Sequence, residues 1–210
     1  MTLSNKITMS RAFLSLLIFV LIVYRTLWSE LAALALLTAA SISDYYDGEI
    51  ARRTRTITPF GAIADPFADK ILVMGVFLAF ASLRELTVPL WAVFLILLRE
   101  LTISTLRVIA ALRGEVMKAE IAGKFKTTVQ LTSAFIILVV LIIKVWAETH
   151  ILPAAFLSLT VSHAGQTAYW LTVFTALVTV ISGAVYLYKH RDLLIKSWND
   201  KGPGGEGARE

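Results

Sequence analysis

Six long apolar segments restrict the fold of this chain more than any other feature of its sequence. Each is near the roughly 20 residues that an α-helix needs to cross a bilayer. They cover residues 13–28, 31–51, 62–83, 89–112, 121–146 and 168–188. With 57% hydrophobic residues and a mean hydropathy of +0.74, the chain is too apolar for an ordinary soluble domain. The sequence therefore predicts an all-α integral membrane protein with six transmembrane helices.

The two ends of the chain differ from this apolar body. Residues 1–11 are polar and suit a short interfacial helix ahead of the first span. The first apolar run resembles a signal peptide, but no small-residue cleavage site follows, so we interpret it as an uncleaved span. Residues 201–210 are rich in glycine and lack apolar periodicity. We predict one membrane-embedded domain over residues 1–190, followed by a disordered cytoplasmic tail over residues 191–210.

Aspartates mark the segments that flank the second connection. Asp44 and Asp47 are spaced i, i+3, and Asp65 and Asp69 are spaced i, i+4, so each pair shares one helix face. Carboxylates are costly at the ends of membrane helices, and four of them can converge only if protons or bound cations relieve their repulsion. A site made only of hard oxygen ligands suits Mg²⁺ or Mn²⁺ better than zinc.

Small residues and one arginine complete this pattern. Gly48 follows Asp47, Ala51 lies one turn further on, and Gly61 lies one turn before Asp65. Such positions let a ligand approach the backbone closely. Arg52 adds a permanent positive charge that suits a phosphate. The complete motif is D-x2-D-G-x2-A-R-x8-G-x3-D-x3-D.

Basic residues form a second group of interest. Arg99 and Glu100 interrupt the fourth apolar segment, where they either neutralise each other or take part in a site. A further basic cluster lies toward the predicted cytoplasmic ends of the fourth and fifth segments, comprising Arg107, Arg113, Lys124 and Lys126. This cluster predicts a pocket for a second phosphate. Membrane anchoring explains Arg113 and Lys124 equally well, but it does not explain Arg107, which lies deeper.

The distribution of basic residues also predicts orientation. They concentrate in the connection after Arg52, in the one from Arg113 to Lys124, and in the tail, whereas the alternate connections carry few. By the positive-inside rule, both termini and the aspartates face the cytoplasm. The net charge of +5 indicates contact with anionic lipid rather than nucleic acid, because no aromatic-basic motif accompanies it. The absence of cysteine excludes disulfides and thiolate sites.

The aspartate motif resembles the signature of the CDP-alcohol phosphotransferase family at every fixed position. These positions are Asp44, Asp47, Gly48, Ala51, Arg52, Gly61, Asp65 and Asp69. The stretch Asn5-x-x-Thr8-x-x-Arg11 is similar to one that members carry near the substrate head group. Three further runs look like those of one branch, the bacterial phosphatidylglycerophosphate synthases, and they are residues 61–70, 99–107 and 123–128. The resemblance implies the family's membrane-embedded helical fold, in the inner or plasma membrane of a bacterium.

The resemblance also implies the reaction and the residues that carry it. CDP-diacylglycerol would be the donor and glycerol 3-phosphate the acceptor, giving phosphatidylglycerophosphate and CMP. Two divalent ions would be held by Asp44, Asp47, Asp65 and Asp69, with Asp69 as the base. The donor would be bound by Asn5, Thr8, Asp44, Gly48, Ala51, Arg52 and Gly61. The acceptor phosphate would be bound by Arg107, Arg113, Lys124 and Lys126, and the family implies a homodimer.

Two other classes of function remain open at this stage. A related synthase would use inositol phosphate, serine or phosphatidylglycerol as its acceptor. A cation transporter would also place aspartates in the membrane, but near its midplane and accessible from both faces. Here the acids lie at helix ends on one face, which favours the enzyme.

Overall fold

The computed structural model describes the chain as a set of packed helices. It covers residues 3–54, 59–112, 121–149 and 154–191, and it describes the side chains of residues 10–43, 70–110, 123, 125–149 and 163–191. Within these ranges every regular element is helical. The α-helices are α1 (Leu3–Tyr24), α2 (Leu27–Thr54), α3 (Pro59–Ser82), α4 (Leu90–Leu112), α5 (Ile121–Thr149) and α6 (Ala154–Lys189), and a short 3-10 helix (Arg84–Leu86) joins α3 to α4.

The predicted all-α architecture is confirmed, whereas the number of membrane spans stays a prediction. Among the described residues, two helical stretches are long and apolar enough to cross a membrane, Phe125–Thr149 and His163–Lys189. Three shorter apolar helical stretches accompany them, Ser10–Tyr24, Leu27–Ser43 and Lys70–Ser82. This composition indicates a membrane protein. The described part of α4 is also apolar, but three charged residues interrupt it: Arg99, Glu100 and Arg107.

Two predicted boundaries differ from the structure. The expected interfacial segment and the first span form one continuous helix, α1, so the structure shows no boundary between them. The fifth and sixth apolar segments leave residues 147–167 between them, which predicts a long outer loop. This prediction was wrong for most of its length, because α5 runs to Thr149 and α6 begins at Ala154. Pro153 suits a helix start, and a single later glycine is tolerated within a helix. The disordered tail predicted for residues 191–210 lies almost entirely outside the described residues.

The helices pack around one apolar core that includes side chains from all six. Its largest fully buried members include Phe77 and Phe80 on α3, whose rings meet edge to face at 6.2 Å. The most extensive packing is between α1 and α3. These contacts hold α3, the helix that carries Asp65 and Asp69, against α1.

Gly75 allows the close approach of α1 and α3. A Cβ atom at position 75 would lie 2.7 Å from Ser15 Oγ, which donates a hydrogen bond to the Ile71 carbonyl at 2.8 Å. Small residues at helix interfaces permit such contacts within membranes. Ser15 itself is 2% exposed, so its hydroxyl has little room to move.

We expect Gly75→Ala to destabilise the protein by about 1–3 kcal/mol, as is usual when atoms are forced into a packed interface. Ser15→Ala removes the clashing oxygen, so the double variant should recover most of the loss in thermal unfolding midpoint. Gly123→Ala is the control, since no atom lies within 4 Å of its added Cβ. Equal melting of Gly75→Ala and Gly123→Ala would contradict this interpretation.

Candidate active site

The aspartate motif lies on two unbroken helices. Helix α2 passes through Asp44 and Asp47, and α3 passes through Asp65 and Asp69. Because both helices are continuous there, the i, i+3 and i, i+4 spacings place each pair on one helix face. These four carboxylates would supply only hard oxygen ligands, which fit Mg²⁺ or Mn²⁺.

The side chains of the motif lie outside the described residues, as do those of several other predicted site residues. Gly48, Ala51 and Arg52 lie on α2, and Gly61 lies on α3. Asn5 and Thr8 lie on α1, Lys124 lies on α5, and Arg113 falls between α4 and α5. In the part of the chain whose side chains are described, no group of three acidic or histidine residues forms a metal site. The ligand and base assignments remain predictions.

A cationic cavity adjoins the end of the motif. Its volume is about 580 Å³, and α3, α4, α5 and α6 all contribute to its wall. The basic residues that line it are Lys70, Arg99, Arg107 and Lys126. Lys70 directly follows Asp69, so their Cα atoms are about 3.8 Å apart. The cavity therefore begins beside the last aspartate of the motif.

Glu100 is the acidic residue that offsets this charge among the described side chains at the cavity. It is 2% exposed, and its Oε1 accepts hydrogen bonds from Lys126 Nζ, from Arg99 Nη1 at 3.2 Å and from Gln130 Nε2 at 3.2 Å. Lys70 Nζ lies 4.0 Å from its Oε2. The predicted pairing of Arg99 with Glu100 is therefore present, but it is one part of a larger network. Among the described side chains, one carboxylate faces four basic groups, so their summed charge is positive.

Arg99 is held against α6 on the far side of this network. Its Nη2 donates to Ser182 Oγ at 3.2 Å. A Cβ at position 183 would lie 2.8 Å from Arg99 Cγ, so the glycine there lets the arginine lie flat on the helix. The orientation of Arg99 is thus fixed by the Glu100 carboxylate on α4 and by Ser182 on α6.

Arg107 lies on the exposed side of the cavity and is held by an aromatic ring. Its guanidinium carbon lies 5.6 Å from the centroid of the Tyr186 ring, a cation–π geometry. The His190 ring also lies beside this aromatic group, with its centroid 4.4 Å away and a tilt of 30° between the planes. Tyr186 is 4% exposed and also lines the cavity. Arg107 and Lys126, both predicted to bind the acceptor, thus lie in one cavity.

A second, much smaller cavity lies between α1, α2, α3 and α5. Its volume is about 50 Å³, and its lining includes Arg11 together with Ala40 and Ser41 of α2. These α2 residues lie within about one turn of Asp44. Arg11 of the Asn5-x-x-Thr8-x-x-Arg11 stretch therefore lies close to the start of the aspartate motif.

Sequence reasoning gave no role to two residues that line the main cavity, Lys70 and Tyr186, or to Gln130, which binds Glu100 beside it. Lys70 ends the run of residues 61–70 that resembles the bacterial synthases, but it was given no role of its own. A lysine at the start of an apolar stretch is detectable in the sequence. Gln130 is a buried polar residue in an apolar helix, and that signal is detectable in the sequence. Tyr186 carried no such signal, because aromatic residues are common in membrane helices.

Comparison with known proteins establishes the family. The model of the CDP-alcohol phosphatidyltransferase family matches residues 1–181. The chain belongs to this family. The match includes the whole aspartate motif and the basic residues of the cavity, whereas Tyr186 lies beyond its end.

Three relatives illustrate the range of this family. The chain is 30% identical over 204 residues to the CDP-diacylglycerol–glycerol-3-phosphate 3-phosphatidyltransferase of Bacillus subtilis, covering 91% of the chain and 96% of the relative. It is 38% identical over 119 residues to the Escherichia coli K12 protein of the same name, covering 55% of the chain and 65% of the relative. It is also 36% identical over 126 residues to a CMP-forming cardiolipin synthase of rice, covering 53% and 37%.

Proposed function

We propose that this chain transfers the phosphatidyl group from CDP-diacylglycerol to glycerol 3-phosphate, giving phosphatidylglycerophosphate and CMP. The observation that carries this proposal is the cationic cavity that begins at Lys70, directly after the last aspartate of the family motif. A second anion-binding region beside the donor motif suits an acceptor that carries its own phosphate. The names of the bacterial relatives support the same donor and acceptor.

The aspartate motif would bind the donor together with two divalent ions. Asp44, Asp47 and Asp65 would hold the ions, with Asp69 able to share one of them. Bound Mg²⁺ or Mn²⁺ would neutralise charge on the diphosphate and on the leaving CMP. Gly48, Ala51 and Gly61 would leave room for the cytidine diphosphate, and Arg52 would pair with a phosphate. Asn5 and Thr8 would contact the donor head group from α1.

Asp69 is the proposed general base. It would accept the proton of the primary hydroxyl of glycerol 3-phosphate while that oxygen attacks the phosphorus that bears the diacylglycerol. The new bond joins this oxygen to the phosphorus, and the bond to the CMP oxygen breaks. No covalent intermediate with the protein is required, because the acceptor hydroxyl would reach the donor's phosphorus directly from the adjoining cavity.

The cationic cavity is the proposed acceptor site. Lys126 is buried and held by Glu100, whereas Arg107 is exposed and held by the Tyr186 ring. Neither side chain needs to be ordered by the substrate, so binding a phosphate costs less conformational entropy. Arg113 and Lys124 are further candidates from the same part of the sequence. The acceptor would stay soluble while the donor's acyl chains remain in lipid.

The location and assembly of the protein form part of the same proposal. The chain would lie in the inner or plasma membrane of a bacterium, with six spans and with both termini and the active site on the cytoplasmic side. Its basic connections support this orientation. The homodimer implied by the family is likewise proposed.

Ion pairs at the opposite end of the helices argue against a transporter. Arg25 binds Glu30 at 2.6 Å and Glu85 at 2.5 Å, and Lys144 binds the other oxygen of Glu85 at 2.5 Å. These contacts join the α1–α2 connection, α2, the 3-10 helix and α5. Glu30 is fully buried. A transporter must open this end in each cycle, and that would break several charged contacts.

The proposed reaction is tested by CMP release from CDP-diacylglycerol by purified protein with Mg²⁺ and a panel of acceptors. The panel is glycerol 3-phosphate, inositol phosphate, serine and phosphatidylglycerol. We expect release with glycerol 3-phosphate alone among these. CMP release with phosphatidylglycerol instead would indicate the cardiolipin synthase activity named for the rice relative. CMP release with none of the acceptors would contradict the proposal.

We expect Arg107→Gln to raise the KM for glycerol 3-phosphate by about ten- to a hundredfold, the equivalent of about 1.5–3 kcal/mol for a hydrogen bond to a charged group. The KM for CDP-diacylglycerol should change little, because Arg107 lies outside the donor motif. Arg191→Gln is a matched control, since Arg191 also lies over a tyrosine ring, 4.9 Å from that of Tyr188, but does not line the cavity. An equal rise in both KM values would contradict the acceptor-binding role and would favour a role for Arg107 in membrane anchoring.

A further inference from the structure

Tyr186 presents a buried polar atom without a partner. The whole residue is only 4% exposed, and its buried hydroxyl has no hydrogen-bond partner among the described residues. Buried hydroxyl groups in proteins are nearly always hydrogen-bonded, and an unmade bond costs free energy. A phenylalanine would fill the same space without that cost. The hydroxyl therefore calls for a partner that the described protein does not supply.

The surroundings of Tyr186 indicate the chemistry of that partner. Tyr186 lines the cationic cavity together with Arg99 and Arg107, and the Nε of Arg99 is a second buried donor without a partner among the described residues. Both groups donate hydrogen bonds, and the basic side chains make the cavity positive. A ligand that satisfies them needs several acceptor oxygens, and the basic side chains around them favour an anion. A phosphomonoester fits this description.

The ring of Tyr186 has a separate effect from its hydroxyl. It lies beside both the Arg107 guanidinium and the His190 imidazole, and the His190 Nδ1 is 3.0 Å from the Tyr186 carbonyl oxygen. The ring thus limits where the Arg107 guanidinium can lie. Tyr186 and Arg107 are carried by different helices, α6 and α4, and both residues line the same cavity.

We infer that Tyr186 is an acceptor-binding residue contributed by the last helix. Its hydroxyl donates a hydrogen bond to the phosphate of the bound acceptor, and its ring keeps Arg107 in position to pair with the same phosphate. This inference rests on the proposed function insofar as the acceptor is a phosphorylated alcohol. It adds α6 to the elements that determine acceptor choice, and the family match ends before this residue.

Tyr186→Phe separates the two effects, because it removes only the hydroxyl. We expect the KM for glycerol 3-phosphate to rise about tenfold, with the KM for CDP-diacylglycerol unchanged. Tyr186→Leu, which also removes the ring, should raise the acceptor KM further. Tyr188→Phe is the matched control, since Tyr188 lies two residues along the same helix and is 69% exposed.

Thermal unfolding supplies a readout that a purely structural role would not move. Without ligand, Tyr186→Phe should melt at the parent's temperature or slightly above it, because the unmade hydrogen bond is gone. Glycerol 3-phosphate alone, without donor, should raise the midpoint of the parent and of Tyr188→Phe but raise that of Tyr186→Phe much less. A parent-like shift and a parent-like acceptor KM in Tyr186→Phe would overturn the inference. So would a lower midpoint without ligand combined with equal rises in both KM values.

The two proposals fail in different ways. If the parent forms no product from glycerol 3-phosphate, the proposed function is wrong. The thermal comparison needs no turnover, so glycerol 3-phosphate and inorganic phosphate would still decide whether the Tyr186 hydroxyl binds a phosphate group. If the parent is active and the Tyr186→Phe variant matches it in both measurements, only the Tyr186 assignment is lost.

Discussion

Asp44→Asn, Asp47→Asn and Asp65→Asn are each expected to reduce turnover by on the order of a thousandfold or more and to weaken Mn²⁺ binding. Each variant removes an anionic oxygen from a site proposed to hold two cations, and metal stabilisation of the reacting phosphate contributes several kcal/mol. The substitution preserves size and helix geometry, so stability without metal should not fall. Mn²⁺ binding is measured directly on the purified protein, by its paramagnetic resonance signal, in parallel with CMP release.

Glu148→Gln is the control for these three variants. It makes the same type of change on an exposed side chain at the end of α5, far along the helix from the cavity residues, where Glu148 lies 3.9 Å from Lys144. We expect parent-like metal binding and turnover. Parent-like Mn²⁺ binding in all three aspartate variants would show that the ligand assignment is wrong, whatever their activity.

Asp69→Asn should separate catalysis from binding. An amide is isosteric with the carboxylate but cannot accept the hydroxyl proton, and loss of a general base lowers turnover by about 10²–10⁴-fold. Binding of Mn²⁺ and of CDP-diacylglycerol should remain close to that of the parent. The measurement combines single-turnover CMP release with metal and donor binding on the same sample.

Two other outcomes for Asp69→Asn would change the assignment. Full activity would exclude the base role. Loss of Mn²⁺ binding together with activity would make Asp69 a ligand and leave the base unassigned. The variant also bears on the cavity, since Lys70 follows directly and its Nζ contacts Ser104 Oγ on α4. A raised KM for glycerol 3-phosphate would indicate that this contact at the cavity has been disturbed.

Much of the fold follows from apolar segment length and from fixed spacing. Helices α2 to α5 lie within a few residues of the predicted segments, because an apolar run has few alternatives in a membrane. The start of α6 was missed, because the predicted segment began with the apolar run at residue 168. The helix extends back through polar residues such as His163 and Gln166. Sequence patterns report where a helix can end, whereas the packing of its neighbours decides whether it does.

The cavity shows which parts of a site sequence can predict. Arg107 and Lys126 were both identifiable as charges near membrane ends, although Lys124 and Lys126, two residues apart, face different sides of a regular helix. The structure places Lys126 in the cavity because Glu100, 26 residues earlier on α4, pairs with it. Tyr186 contacts Arg107 although it lies 79 residues further along the chain, and no local sequence pattern predicts that contact. Long-range contacts of this type depend on how the helices cross.

The most direct test of the central claim follows the oxygen that forms the new bond. Purified protein in lipid nanodiscs is supplied with CDP-diacylglycerol, Mg²⁺ and glycerol 3-phosphate that carries a heavy oxygen isotope in its primary hydroxyl, and the lipid product is analysed by mass spectrometry. Direct attack by the acceptor predicts that the label is retained in phosphatidylglycerophosphate and that CMP appears in equal amount. Unlabelled phosphatidic acid and CMP, with the label left in free glycerol 3-phosphate, would show that water attacks instead and would contradict the account.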